Sequence, residues 1–265
     1  MKVSTAQLPD ASHSLDRVFV FDDTVVILDG ASAFAPVAVS TAEYVDLLGR
    51  HLQRSLSSGP QVDLRTALHA GIRQTARELE LMPGESPSST VAIVRRSERH
   101  VEALVLGDIL LAMSDEVITD DRLQSVAVPA QLAYKDRLIG GSGFDTTHRE
   151  MLADLQSQQR RARNRPGGYW VAEADPDAAA QALVKTRLLS VTHWAVLATD
   201  GAYVTMQHLG LFNAPALTSA SGPELLELLR RCESWEATED PDAVDLPRAK
   251  RHDDKTLAVM HFDAR

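Results

Sequence analysis

The chain has 265 residues, 44% of them apolar and 24% charged, with a net charge of -10. That is enough chain for a sizeable core, and the negative balance excludes nucleic acid and anionic lipid as general partners. The single cysteine, Cys232, excludes an internal disulfide and a cysteine zinc cluster, and no apolar run reaches the about 18 residues of a membrane-spanning helix.

The first segment, MKVSTAQLPDASHS, has no apolar stretch of the signal-peptide kind, so a cytoplasmic protein is expected. Val18–Phe21 and Thr24–Leu28 read as two strands around a tight Asp22-Asp23 turn, and Asp29-Gly30 ends the second. Residues 41–56 and 62–81 carry apolar side chains at helical spacing, separated by Ser57-Ser58-Gly59-Pro60. After a proline- and glycine-bearing loop over 82–88, three strands are expected at Thr90–Arg95, Val101–Leu106 and Ile109–Met113. They read as an antiparallel meander with Gly107-Asp108 at its second turn. Residues 145–163 are helix-compatible, and Asn164–Trp170 breaks the pattern. Asp175-Pro176 is a helix N-cap followed by proline at the first helical position, with a helix expected through AAAQALV. Trp194–Thr199 is a buried-type strand ending at Asp200-Gly201. A helix is expected near 222–233, a charged loop over 236–254, and a last strand at Thr256–Phe262. No repeat or linker interrupts residues 1–265, so a single domain is expected. Its class is α+β: two packed antiparallel β-sheets flanked by helices.

Acidic residues mark the ends of the apolar strands. VVILDG, WAVLATDG and DDKTLAV each join a strand to aspartate, and Asp16 precedes the first of the early strands. Magnesium and manganese are hard cations that take oxygen ligands. A sheet holds carboxylates at its strand ends in fixed places, and glycine after aspartate leaves room for close approach. Each such dipeptide alone is an ordinary turn signal; order and context give the set its meaning.

Four segments, LDRVFVFDDTVVILDGAS, SSTVAIVRRSERHVEALVLGDILLAM, WAVLATDGAYVTM and DDKTLAVMHF, together resemble the metal-dependent protein phosphatases of type 2C, in that family's order, over about residues 16–262. The resemblance implies a two-layer sandwich of sheets with helices outside, and hydrolysis of phosphoserine or phosphothreonine in proteins by a hydroxide bridging two Mn2+ or Mg2+ ions. It implies that Asp29 bridges both ions and that the Gly30 carbonyl binds one. Asp16 would act through water, Asp200 and Asp253 would hold the other ion, and Asp108 would support a third, weaker one. A phosphorylated protein, in a bacterium the target of a serine/threonine kinase, would be the substrate.

The chain departs from that pattern in several places. Leu15 stands where many relatives have glutamate, Ala11 where many have a phosphate-holding arginine, Ala31-Ser32-Ala33 where many have glycines, and Val204 where many have aspartate. His13 and Arg17 are candidate substitutes for the arginine, and His13 is a candidate proton donor to the leaving group. These departures keep two alternatives open: a pseudophosphatase that binds a phosphoprotein without turnover, and an enzyme acting on a small phosphoester.

Other features have plainer readings. Gly140-Gly141-Ser142-Gly143 lacks the last glycine of a serine-nucleophile elbow, Phe144 following instead, and reads as a loop. FDTTH over 144–148 is a helix start with Asp145 or Thr146 as cap. Arg160–Arg165 is a solvated basic face or a docking surface. Trp170 and Trp194 are expected in the core. Cys232 is a helix-face cysteine, and His51, His69 and His100 lack ligand spacing.

Overall fold

A computed structural model describes residues 1–31, 37–59 and 62–262; Ser32, Ala33 and Pro60 lie outside the described residues. In chain order come β1 (Lys2–Leu8), β2 (Arg17–Phe21), β3 (Thr24–Ala31), α1 (Thr41–Ser57), α2 (Leu64–Glu78), β4 (Ser88–Arg96) and β5 (His100–Leu106). There follow β6 (Leu110–Met113), β7 (Glu116–Ile118), α3 (Val128–Ile139), α4 (Thr146–Ala162) and β8 (Leu183–Leu188). The remainder is β9 (Trp194–Ala198), α5 (Asp200–His208), α6 (Ala214–Leu217), α7 (Gly222–Thr238) and β10 (Lys255–His261). Two five-stranded sheets form, in the orders β1-β10-β9-β6-β7 and β2-β3-β4-β5-β8, with antiparallel neighbours throughout.

Strand alternation builds four layers. In β3, Val25 and Ile27 face the other sheet and meet Ala195, Leu197, Ala258 and Met260. Val26 and Leu28 face the opposite way, onto Tyr44, Leu48, Leu52 and Leu68 of α1 and α2. Both faces are dry, so the strand is a continuous apolar run rather than an alternating one. The outer face of the first sheet buries Val196, Ala198, Leu257 and Val259 against Met206, Leu225 and Leu229 of α5 and α7. Helix starts are capped as their sequences suggest. Ser40 Oγ accepts from Glu43 N, Asp63 Oδ1 from Thr66 N and Asp145 Oδ1 from His148 N, and Ser221 forms a capping box with Glu224.

Several expectations are corrected. The meander stops after β5. Gly107 takes φ 89°, and a Cβ there would lie 2.4 Å from Thr90 Cγ2, so the backbone turns between the sheets instead of folding back. β6 pairs with β9 and β7 in the first sheet. The helix through AAAQALV is a short 3-10 helix over Pro176–Gln181, with Asp175 as its cap. Arg65 Nη2 holds the Ala182 carbonyl at 2.7 Å, and Leu183 begins a strand. β1, β7, β8, α3, α5 and α6 are elements that periodicity did not reveal. Trp170 and Trp194 only partly enter the core. Gly140–Gly143 follows α3 and leads into the Asp145 cap, as the loop and helix-start readings expect.

Candidate active site

One end of the sandwich collects aspartates from five separate stretches of chain. Asp29 sits near the end of β3 on the same face as Val25 and Ile27, between the sheets, opposite Thr90 in register. Asp16 directly precedes β2 and is 1% exposed. Its Oδ2 accepts from Thr256 Oγ1 at 2.7 Å and Thr199 Oγ1 at 3.1 Å, so a carboxylate from the second sheet is held by hydroxyls of the first. Thr199 Oγ1 also takes the Thr256 N–H at 2.9 Å. Asp200 opens α5 immediately after β9, and Asp253 lies two residues before β10. Asp108 occupies the crossing between β5 and β6.

Glycine makes two of these approaches possible. A Cβ on Gly201 would fall 2.1 Å from the Asp254 carbonyl oxygen, and one on Gly30 would fall 2.6 Å from that of Leu15. Any larger residue at either place would push Asp200 away from Asp253, or Asp29 away from Asp16.

The electrostatics record how close the acids are. Burial raises the Asp29 carboxyl well above its ordinary value, and Asp16, Asp200, Asp108 and Asp253 each add to the rise. Asp16 is pushed up to about 7, first by burial and then by Asp254 and Asp200. Asp108 is likewise pushed up to about 7, by burial, Asp200 and the buried Asp120. Asp200 is raised by burial and Asp253, against the Gly201 N–H and Lys250, and it shares a side-chain hydrogen bond with Asp29. Like charges packed together in a dry place disfavour ionisation, and a divalent cation offsets that cost.

By chemistry these hard oxygen donors fit magnesium or manganese. Among the described residues, no group of three or more His, Cys, Asp or Glu side chains stands placed to hold a metal ion. Several oxygens are engaged within the protein. Asp253 Oδ1 takes Lys250 Nζ at 2.8 Å and Asp254 N at 3.0 Å, and Asp200 Oδ1 takes Gly201 N at 2.6 Å. An ion binding here would have to displace these protein partners.

Residues that the sequence reading passed over support the cluster. Asp254 Oδ2 accepts the Leu15 N–H at 2.6 Å, tying the segment before β2 to the segment before β10. Beneath it, Lys255 and Glu236, 1% and 1% exposed, pair at 2.9 Å. Lys255 Nζ also donates to the Asp253 carbonyl at 3.0 Å, while Thr205 and His252 complete the Glu236 carboxylate. A charged loop over 236–254 hid these roles, because a buried lysine and a solvated one look alike in sequence.

The substitutes suggested for Ala11 behave differently from one another. Arg17 is committed: its Nε meets Asp46 Oδ1 at 2.6 Å, and its Nη1 donates to the carbonyls of Ser14 and Asp16. His13 is 74% exposed and meets Asp10 and Ser12 on the turn before Leu15. Val204 lies on the surface of α5. A cavity of about 990 Å3 lies elsewhere, at the Asp22–Asp23 end of the second sheet beside Arg95, Arg96 and Leu188, and includes none of the five aspartates.

Two face-to-face antiparallel sheets between helix layers are the fold of the bacterial PPM-type serine/threonine phosphatases. The chain is similar in structure to the Mycobacterium tuberculosis serine/threonine phosphatase PstP/Ppp, at 14% identity and TM-score 0.53, over 99% of each chain. It is also similar to the serine/threonine phosphatase Stp1 of Staphylococcus aureus, at 12% identity and TM-score 0.55, over 99% of this chain and 94% of that one. A third is PppA of Pseudomonas aeruginosa, described as a key regulatory component of T6SS, at 14% identity and TM-score 0.53, over 98% and 97%. Comparisons with family models and with curated protein sequences give no match. Among the described residues, no helix is long and apolar enough to cross a membrane.

Proposed function

We propose that this chain is a metal-dependent phosphatase that hydrolyses phosphoserine or phosphothreonine in proteins, acting as one catalytic domain in the cytoplasm. The observation that supports the reading is the approach of Asp16, Asp108, Asp200 and Asp253 to the buried Asp29 at one end of the sandwich, where all four raise the Asp29 carboxyl. In this reading Asp29, Asp16 and the Gly30 carbonyl would hold one Mn2+ or Mg2+ ion, Asp29, Asp200 and Asp253 would hold a second, and Asp108 would support a third. When bound, such a pair neutralises phosphoryl oxygens and acidifies water, so that a nucleophile is available near neutral pH.

The chain's own part is placement and charge. Thr199 and Thr256 fix the Asp16 carboxylate from across the cleft, and Lys255 fixes the Asp253 backbone. Aspartates held this way need little reorganisation when the substrate arrives. His13, on the exposed turn, is the proposed donor of a proton to the departing serine or threonine alkoxide oxygen, on leaving its pairing with Asp10.

A binding-only reading has one observation in its favour: Arg17 is taken up by Asp46 and backbone carbonyls, which leaves Ala11 without that substitute. Manganese-dependent release of phosphate from p-nitrophenyl phosphate and from phosphothreonine peptides separates the two. Turnover abolished by chelator supports the phosphatase. Folded protein that binds a phosphopeptide and releases no phosphate, with manganese present, supports the pseudophosphatase.

A further inference from the structure

The acidic end of the sandwich repels any phosphorylated substrate until cations offset its charge. Phosphate brings up to two negative charges toward a wall of five aspartates, and ions held among them spend part of their own charge on the carboxylates. A side-chain cation at the mouth would therefore add directly to affinity.

Of the basic groups near this end, Arg17 is fully engaged and His13 faces solvent beside Asp10. Lys250 differs from both. Its Nζ lies 2.8 Å from Asp253 Oδ1, and its side chain is 50% exposed. It therefore reaches the acids with its tip while its stem runs along the surface. Its charge acts on Asp200, and Asp253, Asp29 and Asp200 favour its charged form against the cost of burial. The backbone beside it is anchored: His148 of α4, itself buried, contacts the Ala249 carbonyl through Nε2 at 3.2 Å, and Arg248 bonds Asp240 at 2.6 Å. The half-exposed lysine side chain extends from this anchored backbone.

Resting on the phosphatase reading, we infer that Lys250 is the substrate-phosphate clamp: it pairs with Asp253 while the site is empty of substrate and turns to a phosphoryl oxygen when a phosphoester binds. The anchored backbone keeps its tip within reach of both partners. The pairing with Asp253 also spares the resting site part of its self-repulsion. Lysine, a point charge with three rotatable donors, suits a switch between two oxygen partners better than a planar guanidinium does.

The test uses the full chain loaded with magnesium, and inorganic phosphate as the probe in titration calorimetry, on wild type, Lys250→Ala and Lys250→Arg. The alanine variant should bind phosphate at least about tenfold more weakly, which corresponds to about 1.4 kcal/mol. It should raise KM for a phosphothreonine peptide by a similar factor with kcat changed less than about threefold. The arginine variant should recover most of the phosphate affinity, and magnesium affinity should be kept or improved by either change. Unaltered phosphate affinity and KM in Lys250→Ala, or a collapse of magnesium affinity in that variant, overturns the inference. A wild type that binds phosphate through Lys250 yet hydrolyses no ester supports the clamp and contradicts the phosphatase reading, so the two fail separately.

Discussion

A buried carboxylate surrounded by others costs stability unless something positive joins it, and Asp29 and Asp200 show this most clearly. Replacing either with asparagine should cut manganese-dependent phosphatase activity by at least about a hundredfold, since a ligand to the reacting centre supplies several kcal/mol. The same variants should melt higher than wild type in chelator at pH 8, because a repelling charge has been removed; differential scanning fluorimetry reads this. The sign of the pH dependence follows from Asp16 and Asp108, both raised from 3.8 to about 7. Below about pH 4, folded and unfolded chains both hold these protons. Between about 4 and 7 the folded chain keeps protons that the unfolded chain has released, so stability falls as pH rises, and above about 7 the penalty is complete. Metal-free protein should therefore lose melting temperature from pH 5 to pH 8. Manganese binding at pH 6 should release protons, measurable by calorimetry in buffers of different ionisation enthalpy.

At the level of elements, strands buried on both faces were legible as apolar runs, α1 and α2 as periodic helices, and α4 and α7 as helix-compatible stretches, α4 with Asp145 as its cap. β3, β9 and β10 carry Asp29, Asp200 and Asp253 at or next to their ends, so the order of the motifs already placed these aspartates at strand ends. What escaped was decided by tertiary partners. β1 reads as KVSTAQL, half polar, and is a strand because β10 supplies its ladder from Lys2 opposite His261 to Leu8 opposite Lys255. β8 is a sheet-edge strand with Leu183 and Leu188 exposed, so no buried face marked it. The crossing at Gly107 was hidden because a glycine-aspartate pair serves a hairpin as readily as a change of sheet. The buried Glu236–Lys255 pair was hidden in a run of charge. Removing one partner leaves the other charged and dry, so Glu236→Ala should cost about 3–5 kcal/mol in urea unfolding. Gly49 of α1 lies against Phe19 of β2, where a Cβ would be 2.0 Å from Cε2 of the ring. Gly49→Ala should therefore cost about 1–3 kcal/mol, by forcing helix and ring apart.

Across the whole molecule, the two sheets hold each other in register through their shared apolar interior, and the acidic end is where that interior meets solvent. Cations binding there stabilise only the folded chain, by about 2.7 kcal/mol for one site at a concentration one hundred times its Kd. Manganese should consequently raise the melting temperature, and Asp29→Asn should blunt the rise. The five aspartates come from both sheets and from the crossing between them, so the proposed joint hold on metal would require the sandwich to be assembled. A crystal grown with manganese, read by anomalous diffraction at the manganese edge, decides whether they act together. The expected result is two peaks about 3.5–4 Å apart, with Asp29 between them and Asp200 and Asp253 on one. Manganese absent from Asp29, or bound only at acidic residues elsewhere on the surface, would contradict the account.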